Sequence, residues 1–135
     1  MARMIGAWIW VLNPNRALNE VLNLQVGGTI GLTPHEFEVA SGQLFNIRVK
    51  VVDDDAVFDN VLMTDNSTSV STQGGLYHSF SYGLLVPAAT LRASEPTSEH
   101  YTEIYCRISA RAYPPGHPAI ATNWATTNTL DNILI

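Results

Sequence analysis

Apolar and polar residues alternate with a period of two along two long segments of the chain. The first segment covers residues 45–52, and the second covers residues 100–113. A period of two is typical of β-strands that bury one face and expose the other. Both segments are therefore predicted to be half-buried strands, and Pro114-Pro115-Gly116 is predicted to end the second.

Shorter segments predict further strands. Residues 4–12 are apolar on both faces, as expected for a central strand, and residues 21–26 alternate before Gly27-Gly28. In residues 36–39, Phe37 and Val39 alternate with glutamates, which predicts another strand. No apolar 3.6-residue period persists for three turns. The fold class expected is an all-β antiparallel sandwich of about seven or eight strands, with a closed barrel as the alternative.

The same alternation predicts which side chains form the core. The residues expected to be buried are Ile5, Trp8, Trp10, Ile47, Val49, Val51, Ile104, Cys106 and Ile108. The last three residues, Ile133, Leu134 and Ile135, are expected either to complete a strand or to pack on a neighbouring subunit, because water would otherwise cover three apolar side chains.

Composition limits the class of protein. The chain has 135 residues and 46% hydrophobic content, which predicts one domain over residues 1–135. Only 14% of its residues are charged, against about 25% in average soluble domains. Such a profile favours an extracellular or virion-associated protein over a cytoplasmic enzyme. No apolar segment approaches the roughly 20 residues that a transmembrane helix needs, so no transmembrane segment is expected.

Charge and motif content argue against several functions. The formal net charge is -5 and Lys50 is the only lysine, so nucleic acid is not an expected partner. Cys106 has no second cysteine to pair with and is expected to act as a small buried hydrophobe. The sequence contains no nucleophile elbow, no glycine-rich phosphate loop and no histidines at metal-ligand spacing. The protein is therefore not expected to be an enzyme.

The most distinctive motif is the acidic stretch "VKVVDDDAVFDNVLMTD" at residues 49–65. It holds five of the chain's twelve carboxylates, and it follows the end of the strand predicted at 45–52. Carboxylates in a loop at the edge of a sandwich suit Ca²⁺, which prefers oxygen ligands. A solvated turn, in which aspartate side chains cap the backbone, is the alternative.

Two loops resemble the calcium-binding loops of C2 domains, which are calcium-dependent lipid-binding β-sandwiches. In "LNPNRALNEVLNLQV", Asn13 and Asn19 stand six residues apart, where that family has aspartates. In "VKVVDDDAVFDNVLM", the matching positions are Asp53, Asp55 and Asp59. The resemblance covers about residues 5–65. It implies that these five residues bind one calcium ion.

Aromatic residues suggest a second type of contact. Tyr101 and Tyr105 lie on the polar face of the strand predicted at 100–113, together with Tyr113 and two arginines. Trp124 lies in the charge-poor segment "IATNWATTNTLDN", where its ring could contact a sugar, a lipid or another subunit. Tyr101, Tyr105 and Trp124 are therefore candidate ligand or partner contacts.

Two functions follow from these observations. The first is a non-enzymatic, C2-like binding module that uses calcium to engage a lipid surface or a protein partner. The alternative is a small structural sandwich, in a capsid, fibre or appendage, or a carbohydrate-binding module. Both allow a homo-oligomer.

Overall fold

The structure is a computed structural model that describes residues 1–54, 60–72, 74–93 and 100–135. Strands dominate the described residues, and two short helices interrupt them. In chain order the elements are β1 (Arg3–Val11), β2 (Leu22–Gly31), α1 (Pro34–Ala40), β3 (Leu44–Asp53), β4 (Asn60–Ser71), β5 (Tyr77–Val86), α2 (Ala88–Arg92), β6 (Tyr101–Ala112), β7 (Ile120–Ala121), β8 (Ala125–Thr126) and β9 (Leu130–Leu134).

Two antiparallel sheets pack face to face. The smaller sheet has the order β1-β2-β5. The larger sheet has the order β4-β3-β6, and the short strands β7, β8 and β9 pair in turn with the free side of β6. The predicted all-β antiparallel sandwich is confirmed.

The core lies between the sheets and comes from the alternation that the sequence shows. Six of the predicted core residues are fully buried, with exposures of 0%: Ile47, Val49, Val51, Ile104, Cys106 and Ile108. The smaller sheet contributes the inward side chains of β2, including Leu24 and Val26. Because every second residue of β3 and β6 points inward, the intervening side chains of these strands form the outer face of the larger sheet.

The prediction for β1 is wrong in two respects. The strand lies at an edge of its sheet, and Ile5, Trp8 and Trp10 are 37%, 37% and 62% exposed. The cause is a β-bulge: β1 advances three residues from Ile5 to Trp8 while β2 advances only two. Gly6 lies in the bulge with a φ of 62°, a left-handed conformation that suits glycine. The extra residue places Trp8 and Trp10 on the same outer face as Ile5.

The prediction of a strand at residues 36–39 is also wrong, because residues 34–40 form helix α1. Thr33 begins the helix with a capping box: its Oγ1 accepts from the Glu36 N–H at 3.2 Å, and the Glu36 carboxylate accepts from the Thr33 N–H at 2.9 Å. Pro34 occupies the first turn, where its missing N–H is not needed. These local hydrogen bonds outweigh the short apolar alternation of Phe37 and Val39.

The C-terminal residues form a strand of the larger sheet. This is the first of the two predicted alternatives, the other being contact with a neighbouring subunit. In β9, Leu134 pairs with Tyr101 and Ile133 pairs with Thr102. Ile133 and Ile135 are each 7% exposed. The apolar end of the chain is therefore buried within its own sandwich.

Residues 122–128, here called the clamp segment, contain β8 and lie beside β6, within hydrogen-bond distance of both β6 and β1. Two threonines in it bind the backbone of β6. The Oγ1 of Thr122 accepts from the Ala110 N–H at 2.9 Å, and the Oγ1 of Thr127 accepts from the Cys106 N–H at 2.8 Å. Both bonds are buried, so each satisfies an N–H that water cannot reach.

The asparagine that follows each threonine binds β1. The Oδ1 of Asn123 accepts from the Met4 N–H at 3.0 Å, and the Oδ1 of Asn128 accepts from the Ile9 N–H at 2.9 Å. Asn128 also donates through Nδ2 to the Ile9 carbonyl at 2.9 Å. The repeated Thr-Asn pair therefore fastens β1 to β6, and it covers part of the edge that β1 would otherwise leave unpaired.

The clamp predicts a specific loss of stability. Thr127→Val keeps the side-chain shape but removes the hydroxyl that pairs with the buried Cys106 N–H, so we expect the free energy of unfolding to fall by about 1–3 kcal/mol. Thr126→Val, at the neighbouring exposed position, is the matched control and should change it by less than about 0.5 kcal/mol. Urea denaturation measures both. Equal losses in the two variants would contradict this role of the clamp.

Candidate functional site

The acidic stretch is only partly described. Asp53 is 3% exposed and its Oδ1 accepts from the Thr102 hydroxyl at 3.1 Å. Asp65, on β4, accepts from the Tyr82 hydroxyl at 2.9 Å. Asp55 and Asp59 lie outside the described residues. Asp53 and Asp65 thus each have a protein hydrogen-bond donor that offsets part of the cost of their burial.

In the loop between β1 and β2, the side chain of Asn13 hydrogen-bonds to backbone groups. The Oδ1 of Asn13 accepts from the Asn23 N–H, and its Nδ2 donates to the Val21 carbonyl, both at 2.8 Å. Asn19 is exposed and has a φ of 71°, a conformation in which it ends a turn. Asn13 therefore already holds the start of β2 in place.

The fit of this region to calcium rests on the residues that are not described. Over residues 1–54, 60–72, 74–93 and 100–135, no group of three or more His, Cys, Asp or Glu side chains is placed to hold a metal ion. Asp53 and Asn13 are engaged with the protein, so Asp55 and Asp59 would have to supply most of the binding. Calcium binding by Asp53, Asp55, Asp59, Asn13 and Asn19 stays a prediction.

The aromatic candidates do not form one site. Tyr101 is 56% exposed and borders a depression of about 340 Å³ that Asn13 and Asp131 also line. Trp124 is half-buried and lies beside Arg107, six residues further along β6 from Tyr101. Six extended residues span about 20 Å. Tyr105, also half-buried, lies on the strand between the two positions.

Trp124 is the centre of a cluster that sequence analysis missed. Three cationic side chains surround its ring. The Nζ of Lys50 lies 4.3 Å from the ring centroid, and the Cζ atoms of Arg48 and Arg107 lie 5.6 Å and 5.9 Å from it. The indole thus gives each cation a favourable contact with its π face, worth about 0.5–1 kcal/mol at an exposed site.

Strand pairing brings these cations together. Lys50 of β3 lies opposite Arg107 of β6, and Arg48 lies opposite Ser109. Ser109 points outward, yet it is only 7% exposed, so neighbouring groups on this face cover it. The clamp hydrogen bonds on either side of Trp124 hold the backbone from which the ring extends.

A fourth cation extends the cluster. Arg111 of β6 lies opposite Asn46 of β3. Arg48 and Arg111 line a shallow depression of about 370 Å³ together with Asn46, Asn66 and Tyr113. We call the set Arg48, Lys50, Arg107, Arg111 and Trp124 the cationic face.

The cationic face concentrates positive charge on a chain that is acidic as a whole. It contains four of the chain's seven Lys and Arg residues, although the whole chain carries a formal charge of -5. Within the part of the chain that the structure describes, none of the four forms an ion pair with a carboxylate. Cations packed within a few ångströms of one ring repel each other, and the π contacts offset only part of that repulsion. The face is therefore suited to bind a negatively charged group.

The single cysteine of the chain is shielded from solvent. Cys106 is fully buried between the sheets, and burial raises the pKa of its thiol to about 12. A thiol in this environment stays protonated and unreactive at neutral pH. Among the described residues, no helix is long and apolar enough to cross a membrane.

The fold and the site define the protein as an antiparallel β-sandwich with a cationic face on the outer side of its larger sheet. Neither a protein-family model nor a curated protein matches the chain. Proposals about function therefore rest on the geometry of the chain itself.

The C2 resemblance makes a testable prediction about calcium. Only three carboxylates are offered to the ion, so we expect a dissociation constant on the order of 10⁻⁴ to 10⁻³ M. A hundredfold excess of calcium over this value should stabilise the fold by about 2.7 kcal/mol and raise the melting temperature relative to chelator. Asp55→Asn should remove most of the increase, and Glu38→Gln, at an exposed position of α1, should preserve it. A melting temperature indifferent to calcium would contradict the prediction.

Proposed function

We propose that this protein is a non-enzymatic binding module that engages an anionic partner through its cationic face. The observation that supports the proposal is the arrangement of Arg48, Lys50 and Arg107 around the ring of Trp124, without a carboxylate partner among the described residues. An anionic ligand would relieve the repulsion among these cations and would keep their contacts with the ring.

The shape of the face favours an extended anionic surface over a small enclosed ligand. The cations lie on two neighbouring strands of a sheet, and the depression beside them is shallow and lined by polar side chains. Ligand pockets for small molecules are mostly concave and apolar. The anionic head groups of a phospholipid surface suit a broad cationic face of this kind.

The strength of such binding can be estimated. A basic residue close to an anionic membrane contributes about 1 kcal/mol, so four of them contribute about 4 kcal/mol. This corresponds to weak, reversible attachment that salt would reduce, because exposed charges are screened within about 10 Å at 0.1 M salt. In a C2-like module, calcium at the acidic loop would strengthen the attachment.

The proposal predicts the effect of reversing two charges. Arg48→Glu combined with Arg107→Glu should weaken binding to phosphatidylserine-containing vesicles at least tenfold, because two attractive contacts become repulsive. The matched control is Arg3→Glu combined with Arg92→Glu, which changes the net charge equally at two exposed arginines outside the face. It should retain binding within about threefold. Vesicle co-sedimentation in low and high salt, with calcium or chelator, measures both.

Three results would contradict binding of an anionic lipid surface by the cationic face. Equal losses in the two double variants would show that net charge, and not the cationic face, determines binding. Binding of wild-type protein to purely phosphatidylcholine vesicles would contradict an electrostatic mechanism. If the protein does not bind phosphatidylserine-containing vesicles but binds poly-glutamate through Arg48 and Arg107, the anionic partner is a protein. A lipid partner is then excluded.

A further inference from the structure

The outer side of the smaller sheet carries a second exposed surface, of opposite character. Six large hydrophobic side chains on or beside β1 and β5 lie there with at least about a third of their surface exposed; Trp10 reaches 62% and Leu85 57%. We call this set the tryptophan face: Ile5, Trp8, Trp10, Leu12, Tyr77 and Leu85. Contiguous exposed apolar surface of this kind marks an interaction site in soluble proteins.

The two tryptophans are held in place by their surroundings. The indole of Trp8 lies so close to Gly27 that a Cβ at that position would collide with it. Trp8 and Trp10 pack edge to face, with ring centroids 6.1 Å apart. Rings that are already ordered lose little conformational entropy on binding. Trp and Tyr are also the residues most often found at the energetic centre of interfaces.

The tryptophan face differs from the cationic face in its lack of charged side chains. Among the outward-facing residues of β1, β2 and β5, Arg3 at one corner is the only charged residue. The remaining positions are apolar, glycine, hydroxyl or amide side chains. Two copies of the chain could therefore meet here without placing like charges opposite each other, apart from the Arg3 corner. Contact between two cationic faces would instead set four cations against four.

The β1 edge of the smaller sheet is already hydrogen-bonded, which restricts how a second copy could bind there. Asn123 and Asn128 occupy the backbone groups of Met4 and Ile9 on the free side of β1. A strand from another molecule could pair there only by displacing these bonds. Strand addition along β1 is therefore disfavoured for a second copy.

The size of the face suits a small homodimer. Three strands of about ten residues cover roughly 14 Å by 33 Å, or about 460 Å². Protruding tryptophan, tyrosine and leucine side chains increase the area removed from water toward the roughly 800 Å² per partner of a standard interface. We propose that the tryptophan face is the contact of a symmetric homodimer, with a dissociation constant on the order of 10 µM. In a two-fold contact the same surface serves both copies.

Two leucines with equal exposure test the proposal. Leu85 on the tryptophan face and Leu44 at the start of β3 are both 57% exposed. We expect wild-type protein to change from monomer to dimer between about 1 and 200 µM in sedimentation equilibrium. Leu85→Ser should weaken the dimer at least fivefold, and Leu44→Ser should leave it unchanged within about twofold.

A charged variant provides a second test. Ser81 is exposed and lies opposite Gly27, beside Trp8. Ser81→Glu would place two carboxylates in the contact of a symmetric dimer and should keep the protein monomeric at about 200 µM, because like charges would meet in a desolvated site. Ser71→Glu, at an exposed position on β4, should not. Circular dichroism melting curves confirm that each variant folds.

Several results would overturn the homodimer. Wild-type protein that stays monomeric at about 200 µM would exclude it, as would a dimer that survives both Leu85→Ser and Ser81→Glu. A monomer whose tryptophan fluorescence responds to a soluble neutral glucan or to phosphatidylcholine vesicles would assign the face to that partner instead.

Discussion

The hydrogen bonds of the repeated Thr-Asn pair are the interaction on which the other features depend. Thr122 and Thr127 satisfy buried N–H groups of β6, and the asparagine after each one binds the backbone of β1. Strands β1 and β6 belong to different sheets, so these bonds join the two layers where no continuous ladder does. Trp124 lies between the two pairs, and its position at the centre of the cationic face follows from how the pairs hold the chain.

The sandwich separates two kinds of surface by the thickness of its core. One outer face concentrates cations around Trp124, and the other exposes Trp8 and Trp10 with almost no charge. If both proposals hold, a dimer formed through the tryptophan faces would direct its two cationic faces outward in opposite directions. Such a dimer could connect two anionic partners, and the avidity of each contact would then depend on self-association.

Much of the larger sheet could be predicted because apolar and polar residues alternate along its long strands. In β3 and β6 the alternation is uninterrupted, and the six core residues predicted there are buried. In β1 one bulge residue at Gly6 reverses the alternation, so the tryptophans appear outside. Residues 33–40 carry a capping box and an N-terminal proline, signals that identify helix α1. The short apolar alternation of Phe37 and Val39 favoured a strand instead.

The cationic face was harder to predict because it depends on pairing between distant strands. The outward positions of Arg48 and Lys50, and of Arg107 and Arg111, follow from the alternation of β3 and β6 separately. Their proximity requires the register that sets Lys50 opposite Arg107, and the overall charge of -5 hides it. Trp124 joins them only through the clamp, which composition and periodicity do not reveal. The acidic stretch, more prominent in the sequence, has its central residues outside the described part of the chain.

The indole N–H signals of the three tryptophans report on both outer surfaces of the sandwich, because one tryptophan lies on the cationic face and two lie on the tryptophan face. Each signal can be assigned in a ¹⁵N-labelled sample with the corresponding Trp→Phe variant. During a titration with tripolyphosphate at constant ionic strength and protein concentration, we expect the Trp124 signal to shift while those of Trp8 and Trp10 stay in place. An unmoved Trp124 signal, or equal shifts of all three, would contradict the central claim that the cationic face is the site at which this protein binds anions.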